Sequence, residues 1–349
     1  MSGTVMLVAP GSWEAGLSSS YRRAFTSYGL RVVQLDLEAE RRKVAPLGKL
    51  GQRFMAHVDL AAFNAKANRV LVRAAMDLKP DVVVVMGVEA VRPATLLQLK
   101  ISLPGIKLVN IFPDMLFNLR DAMFPCLPLY DRFCCHTRAG VPFLKQAGCA
   151  GAFYLPLAAD PMLHRREALT AEDERAHGCD LVFVGNHRPE HAALFAALEG
   201  MDLSVWGSTL WREAKSPWVL SRYRGRAIVD GAEYARIHRA AKICLNPIDP
   251  LDLPGHNQRT FEVPACGGFP LVTRTEEVLE FYEEGVSVAC FASPEELVEK
   301  VRYYLARPEE RRRIAEAAHA RVLEGGHTYR DRVRTLFGEL GLEALLGGA

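Results

Sequence analysis

The sequence predicts an α/β protein with two doubly wound domains that face each other across a cleft. Three observations support this fold class. The chain has 349 residues, more than a single hydrophobic core usually fills. Short runs of β-branched and aromatic residues alternate with helical segments from start to finish, which is typical of parallel sheets covered by helices. The alternation pauses once, over residues 158–177, where charged residues replace most apolar ones.

The predicted strands are short runs that are apolar on consecutive positions, as in strands buried on both faces. In the first half they begin at Val5, Arg31, Asp81, Lys107, Arg132 and Ala152. In the second half they begin at Asp180, Asp202, Ala227, Ile243, Phe269 and Val286. Helical spacing between them includes residues 50–78, 93–99 and 141–147. The clearest helix start follows Phe291, where Ser293, Pro294 and Glu296 form a predicted capping box.

This pattern divides the chain into four segments. We expect a Rossmann-like N-terminal domain over residues 1–157 and a connection over residues 158–177. A second Rossmann-like domain is expected over residues 178–326, and a C-terminal helix that packs back on the first domain over residues 327–349. Ligands of such domains bind at the carboxyl ends of strands, beside the amino termini of helices.

Composition excludes several classes of protein. The 43 Lys and Arg nearly balance the 41 Asp and Glu, so charge gives no case for a nucleic-acid partner. The longest apolar stretch, residues 82–88, is too short to cross a membrane, and the start lacks the cationic segment of a signal peptide. None of the eight cysteines forms a C-x-x-C pair. We therefore expect free thiols, no zinc site and a cytoplasmic location.

The common nucleotide-binding motifs are missing. After the first strand, the spacing of Gly11 and Gly16 does not fit G-x-G-x-x-G, and no Gly-Lys-Ser or Gly-Lys-Thr occurs. Asp249 and Asp252 are one residue too far apart for the D-x-D pair that holds a metal-bound nucleotide sugar. An NAD enzyme, a P-loop NTPase and a metal site are therefore not predicted.

Residues 246–272 hold the most informative motif. A strand ends at Asn246, and a Gly/Pro loop leads to a helix whose start we expect near Thr260, because Pro264 is not tolerated deep in a helix. Gly255, Asn257, Arg259 and Thr260 would then lie at the helix amino end, where unbonded N–H groups favour phosphate. Glu262 could reach two neighbouring hydroxyls, such as those of a ribose. An ordinary capped loop is an equally good interpretation of the pattern alone.

The run from Arg259 to Leu271, RTFEVPACGGFPL, resembles the donor-site motif of the CgeB-like glycosyltransferases of the GT-B group. The resemblance extends to Leu155–Pro161, Phe183–Asn186 and the closing His327–Arg332, and covers roughly residues 150–335. It implies a GT-B fold, a nucleotide sugar bound mainly by the C-terminal domain, an acceptor bound by the N-terminal domain and no required metal or other cofactor. The first 150 residues match only in their alternation of strands and helices.

The resemblance also implies roles for single residues. Glu262 aligns with the glutamate that holds the donor ribose, and Arg259 and the loop from Gly255 align with the diphosphate region. The turn that carries Gly185, Asn186 and Arg188 is expected to face the phosphates. Many retaining relatives carry a sugar-binding glutamate eight positions before the ribose glutamate, where this chain has Pro254. The stereochemical outcome is therefore open.

The expected chemistry needs groups that stabilise a departing diphosphate and, in an inverting enzyme, a base. Arg259 and Arg188 are the candidates for the first task, with a solvated or helix-surface arginine as the alternative for each. Asp114, after the fourth strand, is a candidate base, with a turn-forming aspartate as the alternative. His136 could touch the transferred sugar or be a core histidine, and Trp206 could flank the nucleobase or lie in the core.

We therefore expect a glycosyltransferase that uses a UDP- or TDP-linked sugar and an acceptor that is a protein, lipid, polysaccharide or small molecule. Two alternatives remain open. One is a UDP-sugar 2-epimerase or hydrolase on the same fold. The other is a non-catalytic module that binds nucleotide sugars.

Overall fold

The computed structural model describes residues 3–11, 16–37, 39–40, 61–228 and 230–347, and the side chains of 61–63 are left aside. The chain divides into a first unit, Met1–Pro156 with Arg332–Ala349, and a second unit, Leu157–Asp331. Residues 158–177, predicted as a connection, belong to the second unit. They are tied to it by the bridge between Ala159 and Thr328 and by the salt bridge between Arg166 and Glu316.

The first unit contains a parallel sheet of six strands in the order β2-β1-β3-β4-β5-β6. The strands are β1 (Thr4–Val8), β2 (Arg31–Leu35), β3 (Val82–Val85), β4 (Lys107–Phe112), β5 (Arg132–Cys135) and β6 (Ala152–Tyr154). The helices are α1 (Leu17–Ser27), α2 (Ala61–Leu78), α3 (Pro93–Ser102) and α4 (Gly140–Gln146). Residues 50–60 of the predicted helix 50–78 lie outside the described residues. β3 is buried along its whole length, as its four consecutive valines predict.

The second unit contains a parallel sheet of five strands in the order β11-β10-β9-β7-β8. The strands are β7 (Cys179–Val184), β8 (Leu203–Trp206), β9 (Ala241–Asn246), β10 (Pro270–Thr273) and β11 (Ala289–Phe291). Its helices are α5 (Ala171–His177), α6 (Pro189–Ala196), α7 (Pro217–Arg222), α8 (Gly231–Ala240), α9 (Arg259–Ala265), α10 (Glu276–Phe281), α11 (Pro294–Leu305) and α12 (Pro308–Leu323). The last helix, α13 (Tyr329–Glu339), begins in the second unit and belongs to the first unit from Arg332 onward. The strand order reverses between β7 and β9, and ligands of such sheets bind at this switch point.

One predicted strand is wrong. Ala227 and Ile228 are not in a strand, and Val229 lies outside the described residues. The outer side of β8 is already used, because Tyr223 bridges Val205 and the Arg224 N–H donates to the Val205 carbonyl at 2.8 Å. Each of the other eleven predicted runs overlaps a strand.

The predicted cap of α11 is confirmed in part. The Ser293 hydroxyl accepts the Glu296 N–H at 3.2 Å. The Glu296 carboxylate does not complete the capping box, because it binds Arg274 and accepts the N–H of Ala292, one residue before the cap. All eight cysteines are buried and free, as predicted. Within the described ranges, no helix combines the length and the hydropathy needed to cross a bilayer.

Candidate functional site

The candidate site lies at the carboxyl ends of β7 and β9, at the switch point of the second sheet. β7 ends at Val184 and continues through the turn 185–188 into α6. β9 ends at Asn246, whose Oδ1 accepts hydrogen bonds from Arg259 Nε at 3.1 Å and Asn257 Nδ2 at 2.8 Å. These bonds bring the start of α9 against the end of β9.

Arg259 is the central cation of this edge. Its guanidinium lies over the Phe183 ring, 4.8 Å from the centroid. A Cβ atom at Gly185 would lie 2.6 Å from Arg259 Nη1, so only glycine allows this approach. Within the described part of the chain, Arg259 forms no salt bridge. Burial lowers its pKa, while nearby Glu262 acts in the opposite direction. A half-buried guanidinium without a carboxylate partner attracts an anion, because a bound anion would compensate its charge.

Trp211 fixes the turn that follows β7, and the sequence analysis did not single it out. Its Nε1 donates to the Gly185 carbonyl at 2.8 Å, and the Gly185 N–H donates to the Trp206 carbonyl at 2.9 Å. A Cβ atom at Gly207 would lie 2.0 Å from the Gly185 carbonyl oxygen. The two glycines at the ends of neighbouring strands are the signal that could have indicated such a close approach.

The predicted turn residues lie at this edge of the sheet. Arg188 is the N-cap residue of α6 and forms a salt bridge with Asp249 at 3.2 Å. Asn186 is exposed in the same turn. The turn therefore presents one paired cation and one exposed amide beside Arg259.

Of the amides predicted to be unbonded at the start of α9, those of Gly255, Asn257 and Thr260 are bonded within the protein. Asn257 Oδ1 accepts the Thr260 N–H at 3.2 Å, and the Gln258 carbonyl accepts the N–H of Glu262 at 3.0 Å. The Gly255 N–H donates to the Asp252 carbonyl at 2.6 Å. The Thr260 amide is bonded because the Asn257 side chain turns back onto the start of the helix. The Arg259 side chain is the cation of this segment.

The helix begins at Arg259, close to Thr260, as Pro264 requires. Pro264 has no N–H to offer to the carbonyl four residues earlier, which belongs to Thr260. That carbonyl accepts a hydrogen bond from the Tyr282 hydroxyl at 2.8 Å. The motif therefore keeps a proline in its helix without leaving a buried carbonyl unbonded.

Glu262 lies on the same helix, with its carboxylate largely buried: 14% of the side chain is exposed. The Tyr234 hydroxyl donates to Oε2 at 2.8 Å, and His164 Nε2 lies 3.6 Å from Oε1. His164 Nδ1 accepts the Asp160 N–H, which leaves the proton on Nε2. Burial, and next the charge of Glu262, raises the pKa of Tyr234. The carboxylate is thus fixed in place by two side chains that sequence reasoning missed.

Three other predicted site residues are used by the fold itself. Asp114 is exposed, and its two oxygens accept the Met115 N–H at 2.8 Å and Asn118 Nδ2 at 2.9 Å. His136 is buried at the end of β5. Trp206 is only 7% exposed and packs in the core of the second unit. Asp114 has the contacts of the turn-forming alternative, and His136 and Trp206 are buried as in the core alternative.

Among the residues that the structure describes, no group of three or more His, Cys, Asp and Glu side chains is arranged to hold a metal ion. The polar groups that converge on the switch point are a guanidinium, two amides and a carboxylate. A guanidinium and amides offer hydrogen-bond donors to an anion, and a carboxylate offers acceptors to hydroxyl groups.

Two Rossmann-like units with parallel sheets of six and five strands define the protein as a member of the GT-B fold class. The chain superposes on sucrose-phosphate synthase from Thermosynechococcus elongatus with a TM-score of 0.67 and 12% identity, over 97% of this chain and 99% of that one. A glycosyltransferase from Rickettsia africae gives 0.64 and 11%, over 100% of both chains. HepE of Anabaena, solved with UDP and glucose, gives 0.63 and 15%, over 97% and 99%. The predicted fold is confirmed.

Residues 188–338 match the sequence model of a family described as glycosyl transferase-like. The resemblance to the CgeB-like glycosyltransferases is thereby confirmed. The match runs from Arg188 through the helix that carries Arg259 and Glu262. No curated protein sequence matches the chain.

Proposed function

We propose that the protein is a glycosyltransferase that moves a sugar from a UDP- or TDP-linked donor to an acceptor without a metal ion. The observation that carries this proposal is Arg259, a half-buried guanidinium at the switch point without a salt bridge in the described part of the chain. The match of residues 188–338 to the glycosyl transferase-like family model supports the reaction class. HepE, which has the same fold, binds UDP and UDP-glucose.

In the proposed reaction, a nucleophilic group of the acceptor forms a bond to the sugar and loses its proton to a base or to water. The bond between the sugar and the diphosphate breaks, and the nucleoside diphosphate leaves with the negative charge that develops on its phosphate. Arg259 Nη1 and Nη2 make only long contacts of 3.5 Å, to the carbonyls of Val184 and Pro247. Nη1 and Nη2 can therefore exchange these weak contacts for hydrogen bonds to a phosphate at little cost. A charge-assisted pair of hydrogen bonds from a fixed guanidinium stabilises the leaving group more than the bound donor, and so lowers the barrier.

Glu262 is proposed to accept hydrogen bonds from the ribose hydroxyls through the part of its carboxylate that stays exposed. Tyr234 and His164 hold the carboxylate in a single position, so little rotamer entropy is lost when a ribose binds. Arg188 and Asn186 lie on the turn before α6 and are proposed to line the phosphate side of the donor.

The test measures UDP binding by calorimetry in the wild type, Arg259→Gln and Arg302→Gln. Arg302 is an exposed arginine of α11 without a salt bridge in the described residues, and serves as the matched control. Loss of a charged hydrogen-bond pair should weaken binding by about 2–3 kcal/mol, or roughly 30–150-fold, in Arg259→Gln alone. Equal affinity in the two variants, with both folded, would exclude Arg259 from the donor site.

Product analysis separates the reaction classes. With a UDP-sugar and a panel of acceptors, a glycosylated product supports transfer. An epimerised or free sugar would identify an epimerase or a hydrolase, and UDP binding without any turnover would identify a binding module.

A further inference from the structure

A second cationic site lies at the opposite edge of the second sheet, at the amino ends of β9 and β10. A cavity of about 230 Å³ is bordered there by Ala241, the first residue of β9, and by Phe269, which precedes β10. Its charged lining consists of Arg166, Arg239, Lys242, Arg311, Arg312 and Glu316. We call it the basic cavity. It contains no residue of the candidate donor site.

Three of the five cations are paired with carboxylates. Arg166 binds Glu316 through two hydrogen bonds of 2.5 and 2.6 Å, Lys242 Nζ lies 2.7 Å from Asp180 Oδ1, and Arg312 Nη1 lies 2.8 Å from Glu309 Oε2. These pairs cancel three positive charges and leave the two remaining cations, both arginines, unbalanced.

The two remaining guanidiniums have no carboxylate partner in the described part of the chain. Arg311 Nη1 donates to the carbonyls of Tyr304 and Leu305. Arg239 makes no side-chain hydrogen bond there, although it is half-buried and also borders a second cavity of about 680 Å³. Burial, and next the charge of Arg166, lowers the pKa of Arg239. Both effects disfavour the cation and would be relieved by a bound anion.

The start of α12 adds a further attraction for anions. Pro308, its first residue, borders the basic cavity, and the preceding residue Arg307 provides no side-chain cap. The first turn of this 16-residue helix brings uncapped N–H groups to the rim of the cavity. The two carboxylates of that turn are bonded, Glu309 to Arg312 and Glu310 to the Tyr303 hydroxyl.

We propose that the basic cavity binds a small phosphoanion, either inorganic phosphate or a phosphomonoester, through Arg239 and Arg311. The planar guanidinium fork matches two phosphate oxygens at once. The volume is below the roughly 300–1,000 Å³ of pockets for drug-sized ligands, so a small anion fits better than a nucleotide sugar. This site is independent of the proposed transfer reaction.

The test measures the melting temperature of the full chain with increasing inorganic phosphate or glucose 6-phosphate, at ionic strength held constant with sodium chloride. An anion that binds only the folded protein raises the melting temperature in proportion to its occupancy. We expect saturable stabilisation of the wild type. Arg239→Gln should raise the apparent Kd about tenfold or more, because one charged hydrogen-bonding partner is lost. Arg239→Lys should retain part of the stabilisation.

Two control variants locate the anion. Arg302→Gln removes an exposed arginine outside the cavity and should leave the phosphate response unchanged. Arg188→Gln removes a cation of the donor-site turn and should also leave it unchanged. The proposal is overturned if neither ligand stabilises the wild type, or if Arg239→Gln responds as the wild type does. A response lost in Arg188→Gln and kept in Arg239→Gln would place the phosphate at the donor site and also overturn it. The more stabilising of the two ligands identifies the source of the phosphate group.

UDP affinity of Arg239→Gln distinguishes this proposal from the proposed function. It should equal that of the wild type, whatever the phosphate response. A protein that binds phosphate through Arg239 and does not bind UDP would support the basic cavity and contradict the donor site alone.

Discussion

The two units have the same order of their first five strands, with a switch point between β1 and β3 in the first unit and between β7 and β9 in the second. They differ in what lies at that point. In the second unit, the Arg259 guanidinium stands there without a salt bridge in the described residues. In the first unit, the loop after β3 is held by a buried amide, Asn68 of α2. The two units share the topology, and they differ in the side chains that stand at the carboxyl ends of these strands.

The Asn68 side chain is fully used by the fold of the first unit. Its Nδ2 donates to the carbonyls of Asn64 at 2.6 Å and Ala90 at 2.7 Å. Its Oδ1 accepts the Arg92 N–H at 3.0 Å and the Thr95 hydroxyl at 2.7 Å. One side chain thus fixes the loop that leads from β3 into α3.

The largest expected effect comes from breaking this network. Asn68→Leu keeps the approximate volume but leaves two carbonyls, an N–H and a hydroxyl without their partner, so we expect a loss of about 3–5 kcal/mol in the free energy of unfolding. Asn118→Ala, which removes a bond only to Asp114, should cost about 1 kcal/mol or less. Urea unfolding of both variants provides the measurement. Similar costs would contradict the view that Asn68 organises the first unit.

The next effect concerns the second unit and its response to acid. His191 of α6 is only 5% exposed, so its imidazole ring lies inside the second unit. Burial, followed by the charges of Arg259 and Arg188, lowers its pKa to about 3. Because the folded pKa lies below the unfolded value, His191 must stay neutral. Stability is complete above about pH 6.5 and is lost as the pH falls toward the folded pKa.

His191→Phe should remove this sensitivity, since the ring lies against Phe183 and Phe195 and the replacement does not titrate. At pH 5, the wild type should have lost about 2 kcal/mol more of its pH 7 stability than the variant has. Urea unfolding at the two pH values measures the difference. Ile314→Val, a buried apolar change in the same unit, should cost the same at both pH values. A wild type and a His191→Phe variant with parallel pH profiles would show that His191 is not the acid-sensitive group.

The strands of both units could be predicted from the sequence because burial on two faces leaves a local pattern. The four valines of β3 and the apolar run of β7 can be recognised without any knowledge of their neighbours. The Ala227 run has the same local character and is not a strand over 227–228, because Tyr223 and Arg224 already bond to that side of β8. Competition for a sheet edge is a tertiary effect that a local pattern does not contain.

The candidate site could be predicted only where its residues share one motif. Arg259 and Glu262 are three positions apart and stand in the segment that carries the family resemblance. Tyr234 and Trp211 contact the site across separations of 28 and 26 residues, so no local spacing indicates them. The bonded state of the Thr260 amide could not be predicted, because the sequence does not show whether Asn257 turns back onto its own helix.

Glu262 gives the third prediction, which tests the assignment of the second unit to the donor. Glu262→Gln keeps the shape but weakens acceptance from ribose hydroxyls, so UDP binding should weaken by about 1–2 kcal/mol. The effect should vanish with 2′,3′-dideoxy-UDP, which lacks both hydroxyls. Tyr234→Phe, which removes only the bond to Oε2, serves as the matched control and should have the smaller effect on UDP binding. Calorimetry that shows an equal loss with both ligands would mean that Glu262 supports the fold instead of the ribose.

The smallest effect is expected at Asp114 of the first unit. This residue tests whether the first unit, like the second, provides a group to the reaction. Both carboxylate oxygens accept hydrogen bonds inside the turn that follows β4, and asparagine retains the acceptor that faces the Met115 N–H. If Asp114 only closes this turn, Asp114→Asn should leave sugar transfer within about twofold of the wild type and UDP affinity unchanged. A general base contributes about 10²–10⁴-fold, so its loss would be obvious in kcat even with an acceptor that reacts slowly. A fall of that size in kcat, with normal UDP affinity, would identify Asp114 as a catalytic group of the first unit. Loss of a hydrogen bond within a turn does not explain a defect in turnover alone.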